Sequence, residues 1–118
     1  MEEEKPREYA PLKPTVTYDD FAKLDFRVAR ILEAEAVPKS KKLVKMQIDL
    51  GYEKRQIVAG ILEYFAPDTL VGRTIIVVAN LAPAKLMGIE SNGMLLASKD
   101  GNTLTLLTAD IGPGSVVS

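Results

Sequence analysis

The sequence predicts an all-β fold, in the form of a small closed or partly closed barrel of about five strands. Residues 43–50 alternate apolar and polar side chains, which is the period of a half-buried strand. The dipeptide Asp100-Gly101 separates two short strand-like segments and predicts a hairpin turn. Residues 61–70 are the one central segment of helical character. This order favours a barrel, because closing a sheet removes its bare edges.

The N-terminal residues differ in composition from the rest. Residues 1–17 mix charged side chains with prolines and show no apolar period. We interpret them as a flexible, linker-like tail, followed by a domain that spans residues 18–118.

A short helix is predicted over residues 18–24. Thr17 precedes it as an N-cap, and acidic residues follow near the positive end of the helix dipole. Phe21 and Leu24 lie three residues apart, so we expect both side chains to pack inward.

The first strands follow in order. Residues 26–36 are rich in apolar side chains but alternate imperfectly, which predicts a long, bent strand with a bulge, ended by Pro38. Residues 43–50 and 54–59 are expected to pair as a hairpin around Gly51.

The second half of the chain predicts shorter elements. Residues 61–70 fit a short helix or two turns, and residues 73–79 fit a strand. Because Ile75 to Val78 do not alternate, we expect that strand to be covered by the barrel interior on one face and by a helix or a second subunit on the other. Residues 94–98 and 103–107 are the last strands, joined by a type I′ turn and followed by a C-terminal extension. An OB-like barrel fits this order best.

A binding edge is predicted at residues 80–97. This polar loop with several glycines lies between two apolar runs, so its side chains are displayed on the rim of two buried strands.

Composition excludes several classes of protein. The chain has no cysteine and no histidine, which excludes a Cys-His pair, a Ser-His-Asp triad and every His/Cys zinc site. We therefore expect no catalytic residues, no metal site and no cofactor. The apolar runs are too short to span a bilayer, and the start is acidic where a secretory signal is basic, so we expect a cytosolic protein without membrane contact.

Charge is unevenly distributed along the chain. The formal net charge is −1, but the first twenty residues hold 6 of the 16 acidic and only 3 of the 15 basic residues, so the remainder is positive. Four of its lysines fall in one turn and the start of the next strand: Lys39, Lys41, Lys42 and Lys45. Such a cluster suits a nucleic-acid phosphate, although a solvated surface is the alternative.

Five blocks of residues, in order and in register, resemble the tRNA-binding domain of methionyl-tRNA synthetases. They are Asp20-Phe21-Ala22-Lys23-Leu24-Asp25-Phe26-Arg27-Val28-Ala29, Lys42-Leu43-Val44-Lys45, Gln56-Ile57-Val58-Ala59-Gly60-Ile61, Val77-Val78-Ala79-Asn80-Leu81 and Gly88-Ile89-Glu90-Ser91-Asn92-Gly93-Met94-Leu95-Leu96-Ala97. The domain is also similar to free-standing dimeric tRNA-binding proteins. The resemblance implies an OB-fold, either a C-terminal domain or a beta subunit, that holds tRNA without reading its anticodon. It also implies a homodimer, built with the N-terminal helix and the C-terminal region.

The same resemblance implies the tRNA-binding residues. Lys41, Lys42 and Lys45 match the family's basic loop and the strand after it, where ammonium groups contact phosphates. Four further residues match the loop that lines the binding edge: Asn80, Lys85, Ser91 and Met94. The alternatives are loop-capping hydrogen bonds for Asn80 and Ser91, and a place in the barrel core for Met94.

Two features count against tight binding by this chain alone. The family often has basic residues where this chain has Ala82, Ala84 and Met87. Arg27 and Arg30 can contact phosphate, but an ion pair with a neighbouring carboxylate, Glu33 or Asp49, is the favoured interpretation.

Catalysis is expected to lie elsewhere. The family's catalytic domain carries a histidine-containing nucleotide motif, which this chain lacks, so we expect no aminoacylation by this chain and a partner catalytic domain that acts on the held tRNA. Two other functions remain open. A dimeric chaperone of the same fold, involved in secretion, would use Leu81, Leu86, Met87 and Ile89. For a general single-strand DNA binder, oligo-dT would compete well with folded tRNA.

Overall fold

The computed structural model describes residues 9–118. It contains one α-helix, α1 (Tyr18–Ala22), and a 3₁₀ helix at Pro67–Thr69. The strands in chain order are β1 (Phe26–Ala36), β2 (Val44–Asp49), β3 (Lys54–Ala59), β4 (Thr74–Val78), β5 (Ala84–Leu86), β6 (Ile89–Ser91), β7 (Met94–Leu95), β8 (Ala97–Asp100), β9 (Thr103–Leu106) and β10 (Val116–Val117). None of the helices among these residues is long and apolar enough to cross a membrane.

The main sheet is antiparallel and curls into a partial barrel, with the strand order β3-β2-β1-β4-β7. The predicted all-β, OB-like barrel is confirmed. The N-terminal half of β1 pairs with β4 and its C-terminal half pairs with β2. The register shift that allows this bend is the predicted bulge, located between Ile31 and Glu33.

The barrel core follows the predicted alternation. Val44, Met46 and Ile48 of β2 are at most 1% exposed, whereas Lys45 and Gln47 between them are half-buried on the outer face. Residues of β1, β3 and β4 complete the same cluster, with Ile31, Ile57 and Ile75 fully buried. All the residues of β4 after its first are buried, so both faces of β4 are covered within one chain and need no second subunit.

The C-terminal extension packs along the N-terminal end of β1, on the edge opposite β4. Phe26 and Arg27 pair with β10, and the backbone of Val28 hydrogen-bonds to Gly114 and Ser115. The extension approaches the β2–β3 turn so closely that a Cβ at Gly51 would lie 2.7 Å from the carbonyl oxygen of Pro113. Glycine at this position therefore permits the contact.

Two predictions about α1 have opposite outcomes. Thr17 forms the predicted N-cap: its hydroxyl accepts a hydrogen bond from the N–H of Asp20, whose carboxylate accepts one from the N–H of Thr17. The prediction that Phe21 and Leu24 pack inward is wrong, since they are 41% and 44% exposed. The helix is too short to reach the core, and none of its residues is buried.

Two turns also differ from the predictions. The loop predicted at residues 80–97 contains a hairpin, β5–β6, whose two-residue turn Met87-Gly88 has positive φ at both positions, as in type I′. The β8–β9 turn has positive φ at Gly101 but not at Asn102, so it fits type II′ and not the type I′ expected.

The tail predicted for residues 1–17 falls partly on residues 1–8, which lie outside the described residues. Residues 9–17 are exposed and have no helix or strand.

Candidate nucleic-acid interface

The β1–β2 turn presents three of the predicted lysines to solvent. The hydroxyl of Ser40 accepts hydrogen bonds from the N–H groups of Lys42 and Leu43, at 3.2 and 3.0 Å, and so holds the turn in shape. Lys39, Lys41 and Lys42 are exposed and form no ion pair within residues 9–118. We call these three residues the lysine turn; its ammonium groups are available to an anion.

Lys45 lies just beyond the lysine turn, at the start of β2, but its ammonium group already forms an ion pair. Its Nζ is 2.7 Å from a carboxylate oxygen of Glu35, which lies directly opposite on β1. The Glu35 side chain is 64% exposed. An exposed ion pair of this kind is worth about 0–1 kcal/mol, so a phosphate can displace it at small cost.

Asn80 holds the start of the barrel to the end of β4. Its side-chain oxygen accepts a hydrogen bond of 2.8 Å from the N–H of Asp25, and its side-chain nitrogen donates one of 2.6 Å to the carbonyl of Lys23. These two contacts are the loop-capping alternative for Asn80. They leave one amide hydrogen and one lone pair on a side chain that is exposed at the rim.

Ser91 is buried, with 4% of its surface exposed. Its hydroxyl accepts a hydrogen bond of 2.9 Å from the N–H of Val58 and donates one of 3.1 Å to the carbonyl of Gly93. The backbone therefore uses the hydroxyl, which favours the structural alternative over an RNA contact.

Met94 and Lys85 are both exposed. Met94 is 49% exposed, so it does not fill the barrel, and it lines an apolar groove of about 320 Å³ together with Leu43, Leu81 and Leu86. Lys85 is exposed on β5, directly opposite Glu90 on β6.

A second groove, of about 630 Å³, lies between the β2–β3 hairpin and the residues that follow β4. We call it the amide groove, because four side-chain amides line it: Gln47, Gln56, Asn80 and Asn92. Arg55 and Lys54 also line it. Gln47 shares a neighbouring groove with Lys45, so the polar surface runs from the start of β2 to the amide groove.

Among these groove residues, sequence reasoning selected only Asn80. A signal was present, since the predicted β2–β3 hairpin places Gln47 directly opposite Gln56 on the outer face. The approach of Asn92 to the same place depends on contacts distant in sequence, such as its N–H to the carbonyl of Gln56 at 2.8 Å.

The ion pairs of the two arginines of β1 also differ from those predicted. Arg27 pairs with Asp25, not with Glu33 or Asp49, at 2.6 Å between Nε and the carboxylate. The hydrogen bond from Arg27 lowers the pKa of Asp25 below its ordinary value of 3.8, and the charges of Arg27 and Arg55 act in the same direction. Arg30 is exposed and forms no ion pair within the described part of the chain.

Comparison with known proteins assigns the family. Residues 26–115 match the family described as "Putative tRNA binding domain". The chain belongs to this tRNA-binding domain family. The match runs from the first residue of β1 to the residue before β10, so the lysine turn, the polar surface beyond it and both grooves lie inside it.

The curated relatives of this tRNA-binding domain are much longer proteins. The chain is 65% identical over 105 residues to a methionine–tRNA ligase of Thermotoga maritima. The alignment covers 87% of this chain and 17% of that protein. The expected homology to the C-terminal domain of methionyl-tRNA synthetases is confirmed. The chain spans about a sixth of the length of the curated relatives it matches.

Solved structures share the fold of the tRNA-binding domain. A MetRS-related protein from Pyrococcus horikoshii superposes with a TM-score of 0.84 at 33% identity, over 90% of this chain and 100% of that chain. The chaperone CsaA of Bacillus anthracis superposes with a TM-score of 0.80 at 26% identity, over 89% of this chain and 100% of that chain.

Proposed function

We propose that this domain holds tRNA for aminoacylation by a methionyl-tRNA synthetase catalytic domain, and that it binds the tRNA body through phosphate contacts. The lysine turn is the observation that carries this proposal. Its exposed ammonium groups have no ion pair among residues 9–118 and stand at one end of a continuous polar strip. Phosphate contacts position an RNA independently of its sequence.

The remaining predicted residues fit around the lysine turn in different roles. Lys45 joins it when a phosphate replaces Glu35, and Lys85 adds a phosphate contact from β5. Met94 offers a thioether to the face of an unstacked base. Asn80 and Ser91 act mainly by shaping the rim and the barrel.

A homodimer is part of the proposal. The helix α1 buries none of its residues in its own chain, and Tyr18, Phe21 and Leu24 are 77%, 41% and 44% exposed. The ring of Phe21 contacts the ring of Phe26 in a tilted arrangement, with 5.7 Å between centroids, and Phe26 pairs with the C-terminal Val117. We call the exposed apolar side chains of α1 and β10, which are Tyr18, Phe21 and Val116, the apolar patch. Burying it against a second copy would stabilise α1 and present two lysine turns to one tRNA, which raises affinity without new contacts in either subunit.

The catalytic step is assigned to another domain or chain. No histidine is present to form the family's catalytic nucleotide motif, so we propose that this chain alone does not aminoacylate tRNA and that residues 1–17 link the domain at residues 18–118 to a catalytic partner in the cytoplasm. Charging of tRNA by the pure chain with methionine and ATP would contradict this assignment.

Titration with whole tRNA over a series of salt concentrations tests the proposal. Each neutralised phosphate contributes about −0.7 to −0.9 to the slope of log affinity against log salt, so binding should weaken steeply with salt. Oligo-dT serves as the competitor: effective displacement of tRNA would favour the general single-strand DNA binder.

A chaperone is the second candidate, favoured by the apolar groove lined by Leu81, Leu86 and Met94 and by the structural likeness to CsaA. Apolar burial does not weaken as salt rises, so this function predicts client binding that is insensitive to salt. A salt-independent affinity for unfolded protein, with no affinity for tRNA, would replace the first proposal by the second.

A further inference from the structure

The amide groove contains polar groups that the fold leaves without partners. The side-chain nitrogen of Gln47 donates a hydrogen bond of 3.0 Å to the side-chain oxygen of Gln56, whose nitrogen donates one of 2.8 Å to the carbonyl of Glu90. This chain of bonds fixes the direction of both amides. The oxygen of Gln47 and the whole carboxamide of Asn92 have no hydrogen-bond partner within residues 9–118, although both residues are half-buried.

Arg55 provides a fixed planar group in the same groove. Its guanidinium donates to the carbonyl of Ala79 and, at 2.8 Å, to the carboxylate of Glu53, which balances its charge. The side chain is 24% exposed. A guanidinium held in this way offers its plane to the face of a nucleic-acid base more readily than its charge to a phosphate.

Lys54 supplies the charge that Arg55 does not. It is exposed on β3, lines the same groove and forms no ion pair within the described residues. The groove therefore combines a planar cation, the free carboxamide of Asn92, the free amide oxygen of Gln47 and an unpaired ammonium group, which match the face, the edge and the phosphate of one nucleotide. Its volume of about 630 Å³ is in the range of small-ligand sites.

We propose that the amide groove binds a single unpaired nucleotide of the tRNA and distinguishes its base. Asn92 and Gln47 hydrogen-bond the base edge, Arg55 stacks on its face and Lys54 contacts its phosphate. The inference rests on the proposed tRNA-binding function and deepens it, because the lysine turn carries no base information, whereas an amide has a donor and an acceptor that fit some base edges and not others.

Short RNAs provide the test. The affinities of the full chain for the homohexamers of A, C and U are measured at low salt, together with the salt dependence for whole tRNA. The variants are Asn92→Ala and, as a matched control, Asn102→Ala in the exposed β8–β9 turn. Asn92→Ala keeps the backbone hydrogen bond to Gln56, and thermal unfolding checks that both variants are folded.

We expect the parent and Asn102→Ala to prefer one hexamer, and Asn92→Ala to lose about fivefold in affinity for that hexamer and so to lose the preference. The salt slope for whole tRNA should stay unchanged, because the amide is uncharged. In the parent, the side-chain amide NMR signals of Asn92 and Gln47 should shift when the preferred hexamer is added, a result that needs no variant.

The outcomes distinguish a failure of the nucleotide site in the amide groove from a failure of the proposed tRNA-binding function. If the parent binds whole tRNA with a steep salt dependence but all hexamers equally, or if Asn92→Ala retains the preference, the inference is overturned and the proposed function stands. If the parent binds no tRNA, both are overturned.

Discussion

The hydroxyl of Ser91 accepts a hydrogen bond from the backbone N–H of Val58, at 2.9 Å and 33 positions away in the sequence. Val58 lies on β3, the strand at one end of the sheet order, and Ser91 ends β6 just before β7, the strand at the other end. A side chain thus makes the bond that a further strand would make in a fully paired sheet. Together with the Asn92 to Gln56 backbone bond, it closes the barrel.

Ser91→Ala is expected to weaken this closure. The variant leaves the buried N–H of Val58 without an acceptor, which costs about 1–3 kcal/mol in the free energy of unfolding. Denaturant unfolding measures the loss, and Ser98→Ala, on the exposed strand β8, is the control. Affinity for tRNA should remain near that of the parent while the protein is folded; a large loss of affinity without a loss of stability would restore the direct RNA contact.

Lys41→Ala with Lys42→Ala is expected to weaken tRNA binding and to flatten its salt dependence. Two lost phosphate contacts reduce the magnitude of the slope of log affinity against log salt by about 1.4–1.8. Fluorescence titration at several salt concentrations measures the slope. Lys13→Ala, outside the barrel, should leave it unchanged; an unaltered slope in the double variant would exclude the lysine turn as the phosphate site.

Phe21→Glu is expected to dissociate the proposed dimer. A carboxylate placed in the apolar patch would be buried without a partner in the interface, and this cost opposes association. Sedimentation velocity should show the monomer, with weaker tRNA binding and a lower unfolding midpoint, because the stabilisation from association is lost; circular dichroism checks that the β-sheet remains. Val71→Glu, which adds the same charge to an exposed side chain near the middle of β1, is the control. A dimer that persists in Phe21→Glu would locate the interface elsewhere.

Local patterns in the sequence predicted much of the fold. The alternation in β2, the bulge in β1 and the N-cap at Thr17 each depend on neighbouring residues, and all three were confirmed. The inward packing of Phe21 failed, because periodicity identifies the apolar side of a helix but not whether its own chain reaches it.

Part of the candidate site was predictable because it, too, depends on residues that are neighbours in the sequence. The lysine turn is contiguous in sequence, so charge clustering identified it. Asn80 and Ser91 were selected as binding residues, yet their partners lie 55 and 33 positions away, and no local pattern reveals such partners. Arg55 and Asn92 were missed because the groove between them forms only when the barrel closes.

Asp25→Asn is expected to change the acid stability of the fold. The Arg27 hydrogen bond lowers the pKa of Asp25 from 3.8, so the native state favours the carboxylate. Its stabilising contribution is therefore complete above about pH 4 and is lost as the pH falls through the lowered pKa. Thermal unfolding should show Asp25→Asn below the parent at neutral pH and the difference shrinking in acid. Asp110→Asn is the control, and a constant difference at every pH would contradict the prediction.

Glu35→Gln is expected to strengthen tRNA binding. It releases the ammonium of Lys45, which now lies 2.7 Å from the Glu35 carboxylate, and makes it available to a phosphate beside the lysine turn. Glu33→Gln is a closely matched control, because Glu33 lies on the same strand, lines the same small groove and forms no ion pair within residues 9–118. Both variants remove one negative charge, so the general electrostatic gain is common to them. The gain from releasing Lys45 belongs to Glu35→Gln alone: the phosphate no longer has to displace an ion pair worth about 0–1 kcal/mol, so affinity should rise by up to about fivefold beyond that of Glu33→Gln. Adding Lys45→Ala to each variant should remove this difference. Equal affinities in the two single variants would mean that Lys45 stays away from the RNA even when it is free.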